Sequence, residues 1–213
     1  MKGVKKQEEK WKGDFGKEYI ARNYLSLKDL DKLYMEMYGV FYTELTDEFF
    51  GQFDKEIKIL EVGSNVGNQL LMLQRMGFKN LYGIEINQQA VDMSKKRMDG
   101  VNIIQGSAFD IPFKTGYFDL VFTCGVLIHI APENLKTAMK EIHRCTSKYI
   151  FGYEYFSEKY EEIEYRGNKG LMWKTDFPSV YTENFPDSKI SKKKILKFLN
   201  NDNMDIMFLV EKD

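Results

Sequence analysis

The chain has few residues that usually build metal or redox chemistry. Cys124 and Cys145 are its only cysteines among 213 residues, and neither belongs to a CxxC pair. That argues against a disulfide scaffold and against the common zinc and thiol-redox motifs, and it suits a reduced compartment. Histidine is equally sparse, His129 and His143 alone, and no metal-ligand cluster is visible. Long apolar runs are missing as well. The longest, residues 120–132, contains Thr123 and His129 and is too short to span a bilayer. Lysines crowd the N-terminus (Lys2, Lys5, Lys6, Lys10, Lys12), but no apolar stretch follows them, so this is not a secretory signal. A cytoplasmic location and no membrane partner are expected. Finally, no charge of one sign dominates: 31 Lys and Arg face 32 Asp and Glu, for a net charge of −1. Proteins that grip nucleic acid usually carry a basic excess, so a nucleic-acid substrate is disfavoured.

What is present is ordinary for a globular protein, with 43% hydrophobic and 30% charged residues. The length suits one α/β domain with a sizeable core. Residues 1–10 are polar and expected to be loose. Residues 17–50 read as helical, because Tyr19, Ile20, Leu27, Leu30, Leu33, Tyr34, Met37, Val40, Phe41 and Leu45 recur at roughly helical spacing, until Gly51 stops the pattern. From Lys58 the texture changes. Short apolar strands at 58–62, 80–86, 101–105, 118–123 and 148–153 alternate with helices at 68–76, 88–98 and 132–145, the last with Pro132 fitting its first turn. This alternation predicts a doubly wound α/β fold with a mainly parallel sheet. The tail, 193–199 and 205–210, admits an antiparallel strand pair on the sheet edge or a helix followed by a strand. The helix-forming composition of KKKILKFLN favours the second. The expected organisation is a helical extension over residues 1–50 and an α/β domain over 51–213.

Four segments carry chemistry. The first is Ile59-Leu-Glu-Val-Gly-Ser-Asn-Val-Gly67, a strand that runs into a glycine-bearing turn and then a helix. Ligands of open α/β sheets sit at such carboxyl ends. Gly63 and Gly67 permit close backbone approach, and Asn65, in the usual place of a middle glycine, tolerates left-handed φ better than most residues. Ser64 and Asn68 flank the turn, and Glu61 can accept a hydrogen bond from an ammonium group. A plain βα turn would look similar, but the second segment adds weight. Glu85 ends the next strand with Ile86 after it, and a carboxylate there can accept both ribose hydroxyls of a nucleoside. The third segment, Gly106-Ser107-Ala108-Phe109, offers a polar contact and an apolar wall for adenine. The fourth follows the strand at 118–123. Cys124, Gly125 and Val126 would line the site, and His129 could steer or deprotonate a nucleophile, although a packed or capping histidine fits as well.

In this order and spacing the four segments resemble the class I S-adenosylmethionine-dependent methyltransferases over residues 57–150. The resemblance implies a seven-stranded Rossmann-like sheet, S-adenosylmethionine as cofactor and S-adenosylhomocysteine as product. A nicotinamide-dependent oxidoreductase shares the first two segments and is the alternative. The flanks narrow the resemblance. Trp11-Lys-Gly-Asp-Phe-Gly-Lys-Glu-Tyr-Ile-Ala-Arg-Asn23, the Asn65 turn and Tyr165-Arg-Gly-Asn-Lys-Gly-Leu-Met-Trp-Lys-Thr-Asp-Phe177 look like the pseudaminic acid biosynthesis-associated methylases. This likeness implies that residues 1–50 form a lid bringing Trp11, Tyr19 and Arg22 to the cofactor, with Arg22 pairing its carboxylate. It also places Tyr165, Arg166, Lys174 and Asp176 around a small, polar, charged substrate such as an amino sugar or nucleotide-linked sugar, methylated at nitrogen. Another metabolite or a peptide remains a possible acceptor. Glu154, Tyr155 and His129 are the candidates for handling the acceptor's proton, in a metal-independent transfer by a monomer or homodimer.

Overall fold

The computed structural model describes residues 2–213, without the side chains of residues 2, 3, 5 and 6. The chain divides into two compact units, one ending at Ser107 and the other spanning Ala108–Asp213.

The first unit opens with four helices: α1 (Lys2–Lys12), α2 (Asp14–Asn23), α3 (Leu27–Tyr38) and α4 (Tyr42–Phe50). One expectation changes here: the polar N-terminus is a helix rather than loose chain. The 17–50 segment is helical as expected and divides among α2, α3 and α4. Local signals explain the break: Ser26 and Asp29 form a reciprocal capping box at the start of α3, and Gly39 closes it in a left-handed conformation. Then come β1 (Lys58–Val62), α5 (Asn68–Arg75), β2 (Asn80–Glu85), α6 (Gln88–Arg97) and β3 (Asn102–Gln105). The strands pair in parallel, β1 with β2 and β2 with β3. Ile59, Leu60, Val62, Leu81, Ile84 and Ile103 are buried, as near-continuous apolar runs in a covered parallel sheet should be.

The second unit contains β4 (Phe118–Cys124), a single 3₁₀ turn at Leu127–His129, α7 (Pro132–Cys145), β5 (Thr146–Tyr155), the short β6 (Glu161–Glu162) and β7 (Trp173–Lys174), α8 (Phe177–Asn184), β8 (Ser188–Lys197) and β9 (Met204–Lys212). β4 and β5 are parallel, while β9 is antiparallel to both β5 and β8. The tail is therefore a strand pair, correcting the preference for a helix. β8 is lysine-rich because it is the edge strand, where lysines blunt unwanted pairing. The seven strands run in the order β3-β2-β1-β4-β5-β9-β8, a mostly parallel doubly wound topology. Among the described residues no helix is long and apolar enough to cross a membrane.

Candidate functional site

In the first unit the chain leaves β1 through a turn with three left-handed residues in quick succession: Gly63 at φ 74°, Asn65 at 46° and Gly67 at 76°. Glycine adopts this conformation without penalty and Asn is among the few others that tolerate it. The amides of Gly63 and Ser64 both donate to the Ile84 carbonyl, at 2.8 and 3.0 Å, which fastens the turn to β2. Glu85, at the end of β2, fastens it again. One carboxylate oxygen accepts the Asn65 amide at 2.9 Å and the other accepts the Asn87 amide at 2.8 Å. Burial raises the Glu85 pKa against these hydrogen bonds. The Ile86 amide adds a third backbone hydrogen bond, which leaves about one of the carboxylate's four acceptor sites open.

Glu61 is deeper still, at 1% exposure. Burial, and then the like charge of Glu85, push its pKa well above the ordinary value, with only a Leu70 backbone hydrogen bond opposing them. Its Oε2 is buried and accepts nothing. Ser64 Oγ and Arg22 Nη2 are likewise buried without a hydrogen-bond partner. The rest of the Arg22 guanidinium is engaged, 3.7 Å from the Glu18 carboxylate and 5.9 Å from the Tyr19 ring centre.

The N-terminal helices are tied to these strand ends. Trp11 meets Phe15 and Tyr19 edge-on, with centroids 5.1 and 5.2 Å apart, and its carbonyl accepts the Asn87 side-chain amide at 3.2 Å. Gly16 allows this approach, since a Cβ there would lie 1.8 Å from the Trp11 carbonyl oxygen. Asn68 proves to be a structural clasp rather than an available ligand group: its amide donates to the Asn23 carbonyl at 2.8 Å and its oxygen accepts Arg97 at 2.5 Å. Arg97 also donates to the carbonyls of Leu25 and Val66. Ser107, expected to face adenine, donates its hydroxyl to Glu8 of α1 at 2.5 Å. The Ile86 carbonyl accepts Gln105 at 3.1 Å. Glu8, Asn87 and Arg97 were not legible as site residues. Only Asn87, placed to cap α6, carried a local cue.

In the second unit Cys124 ends β4, Gly125 is left-handed at φ 63° with its amide on the Tyr153 carbonyl, and Val126 follows. Ala108 and Phe109 are both partly buried. Glu154 is buried at 1% exposure and holds the turn after β4, accepting the amides of Val126 at 3.2 Å and Ile128 at 3.3 Å. Burial lifts its pKa to about 7 despite hydrogen bonds from Thr123 and the turn amides. The Val126 amide is thus committed to Glu154 instead of a ligand. His129 is also buried. Its Nδ1 lies 2.8 Å from the Leu171 carbonyl, which can only accept, so the proton sits on Nδ1 and Nε2 carries a lone pair. Burial lowers its pKa to about 4, so the ring is neutral near pH 7.

Tyr165 stands 5.3 Å from the His129 ring and exchanges backbone hydrogen bonds with Asn168 in a tight turn. Arg166, exposed and left-handed at φ 51°, lies over the Tyr165 ring. Lys174 is buried, donates to the Asn203 side chain at 2.5 Å and stands 5.5 Å from the Tyr155 ring centre. The Tyr155 pKa rises to about 12, first through burial and then through the charges of Asp205 and Tyr165. Near neutrality it is therefore a donor and not a base. Asp176 precedes α8 and accepts the Ser179 hydroxyl at 2.7 Å, its other oxygen being buried without a partner. His129, Tyr165 and Leu171 form one group, Tyr155, Lys174 and Asn203 another. His143, to which the sequence assigned no role, pairs with Asp187 at 2.9 Å and stacks on Phe185. Among the described residues no group of three His, Cys, Asp or Glu could hold a metal ion.

Residues 60–149 match the methyltransferase domain family model. The chain is 28% identical over 105 residues to an uncharacterized methyltransferase of Oceanobacillus iheyensis, covering 48% of this chain and 49% of that protein. It is 30% identical over 136 residues to an uncharacterized methyltransferase of Staphylococcus carnosus, covering 60% and 62%. The chain thus spans about half the length, or somewhat more, of these curated relatives. Among solved structures, magnesium protoporphyrin IX methyltransferase from Synechocystis with bound S-adenosylhomocysteine superposes with a TM-score of 0.71 over 97% of this chain and 98% of that one, at 11% identity. At that identity the likeness is one of fold, the class I methyltransferase fold.

Proposed function

We propose that this chain is an S-adenosylmethionine-dependent methyltransferase that acts on a small polar substrate, an amino sugar or nucleotide-linked sugar, at nitrogen, and releases S-adenosylhomocysteine. One observation carries the reading: the left-handed turn after β1 keeps Glu61 Oε2 and Ser64 Oγ buried without partners, and Arg22 Nη2 on α2 is in the same condition. Each such atom costs about 1–3 kcal/mol in a closed protein. A ligand with an α-amino acid end would match them, its ammonium on Glu61 and its carboxylate on Arg22. The acceptor site that Glu85 keeps open would take a ribose hydroxyl. The methyltransferase domain match and the methyltransferase relatives support this reading over the nicotinamide alternative.

When bound, the cofactor supplies an electrophilic methyl group on a sulfonium. The chain's own task is to hold the acceptor in line with it, and such positioning can supply roughly 7–11 kcal/mol. An amine acceptor must also lose a proton, and we assign that proton to Nε2 of neutral His129. Glu154 positions the turn that leads to His129, and the Tyr155 phenol acts as a hydrogen-bond donor. Tyr165, Arg166, Lys174 and Asp176 offer the mixed aromatic and charged groups that suit a charged sugar. This chemistry agrees with the likeness to the pseudaminic acid-associated methylases, and with work in the cytoplasm as a monomer or homodimer.

Thermal denaturation with S-adenosylhomocysteine or NADH tests the reading. A ligand at 100 times its Kd stabilises the folded state by about 2.7 kcal/mol. Stabilisation by S-adenosylhomocysteine is expected, and stabilisation by NADH alone would reject the proposal.

A further inference from the structure

We infer that Glu8, on α1, reads the base of the cofactor together with Ser107 and makes the site selective for adenine over its deaminated form. The inference rests on the reading of the first unit as a binding site for an adenosyl group. It starts from strand order. β1, β2 and β3 are neighbours in parallel, so their carboxyl ends form a row: the Gly63–Gly67 turn, then Glu85, then Gly106 and Ser107. Glu85 is registered against Gln105, and the Gly106 amide donates to the Glu85 carbonyl at 3.0 Å. Neighbouring strands lie about 4.8 Å apart. A nucleoside with its amino-acid end at the turn and its ribose on Glu85 therefore carries its base to Ser107.

At that point the structure supplies a carboxylate from the other end of the unit's sequence. Glu8 is 99 positions from Ser107 and accepts its hydroxyl at 2.5 Å, within the range of a charge-assisted bond. The helix that delivers Glu8 is held independently, by Asn87 on the Trp11 carbonyl and by the close passage of Trp11 over Gly16. The pair has a defined polarity. A carboxylate only accepts, whereas a hydroxyl can also donate. Adenine presents a matching edge, with an amino donor beside a ring-nitrogen acceptor. Hypoxanthine reverses both groups, presenting a carbonyl acceptor beside a ring N–H. Glu8 would accept the adenine amino group, and the Ser107 hydroxyl, turning its one proton away from Glu8, would donate to the ring nitrogen. The deaminated base would set its carbonyl oxygen against the Glu8 carboxylate.

Calorimetry on the full chain with S-adenosylhomocysteine and S-inosylhomocysteine tests this, using wild type, Glu8→Ala and Glu8→Gln. Wild type is expected to prefer the adenosyl compound by about 10- to 100-fold, the effect of one hydrogen bond to a charged group. Both variants should lose most of that preference, mainly through weaker adenosyl binding. If wild type binds S-adenosylhomocysteine but the variants keep the same preference within twofold, the inference is overturned while the proposed function stands. Equal weakening of both compounds would also overturn it, because Glu8 would then only dock α1. If wild type binds neither compound, the inference falls together with the reading on which it rests.

Discussion

Replacing Glu61 by Gln should make the ligand-free protein more stable and the cofactor complex weaker, two effects of opposite sign from one carboxyl group. The structure supplies the reason for each. Glu61 is buried, one of its oxygens has no partner, and its charge is opposed by burial and by Glu85. In the unfolded chain it ionises near the ordinary value of 4.5, but in the folded chain it holds its proton to higher pH. Folding therefore takes up a proton between the two values. The stability this group contributes is complete below 4.5 and is lost as pH rises towards the folded value. Glutamine keeps the shape without the ionisation, so the variant should match wild type near pH 4 and exceed it at pH 8. Relieving one poorly satisfied buried group is worth about 1–3 kcal/mol. In a chain of this size that is a rise of roughly 2–12 °C in Tm. If the lone oxygen is the seat of the cofactor ammonium, the same substitution removes a charged hydrogen bond and weakens S-adenosylhomocysteine about 10- to 100-fold. Urea denaturation at pH 4 and pH 8, with calorimetry at pH 8, measures both. A variant less stable than wild type at pH 8, or one with unchanged affinity, would refute the reasoning.

Three further outcomes are expected. Glu154 behaves like Glu61: its pKa is raised from 4.5 to about 7 chiefly by burial, so stability should fall as pH climbs through that window, by an amount on the order of 3 kcal/mol. Glu154→Gln should flatten that part of a pH–stability curve, and an unaltered slope would contradict the assignment. Glu85→Ala deprives the Asn65 and Asn87 amides of their acceptor and should cost about 1–3 kcal/mol in urea denaturation as well as about 1–3 kcal/mol of cofactor affinity. An affinity change below a few tenths would mean that the ribose contact is absent. Gly67→Ala forces a left-handed alanine while its Cβ displaces only the flexible end of Met98, for a loss of about 1–2 kcal/mol, and a loss under a few tenths would show that the turn relaxes freely.

The sequence was most legible where one local pattern decides the structure. Covered parallel strands must be short and apolar, so β1 to β5 could be placed from runs such as KILEV and FDLVF, and Pro132 marked the start of α7. The turn after β1 was legible for the same reason, since few residues other than Gly and Asn fit its dihedral angles. Elements decided by distant partners were not legible. The lysines of β8 favour a helix locally, but its nine registered pairs with β9 override that preference. α1 reads as loose polar chain until Ser107 and Asn87 anchor it. At the site, residue types indicated chemistry but not orientation. Asn68 is turned inward onto Asn23 and Arg97, and Glu154 onto the amides of its neighbouring turn.

The turn region is also where folding physics alone gives the poorest account of the residues chosen. An apolar side chain at position 61 would suit a fully buried strand better than a carboxyl with one orphaned oxygen. A glycine at position 65 would adopt φ 46° with less strain than Asn. A neutral residue at either 61 or 85 would remove the repulsion between two buried acids. Three separate costs, in burial, backbone and charge, thus fall on the same strand ends, and sequence logic alone had marked those ends for binding. Departures of this kind concentrate at functional sites, where the folded chain is incomplete until its ligand arrives. A ligand with an ammonium for Glu61 and a hydroxyl for Glu85 would offset two of the three at once. The Asn65 strain would then follow from aiming its amide at Glu85, the hydrogen bond that fixes the second acid in place.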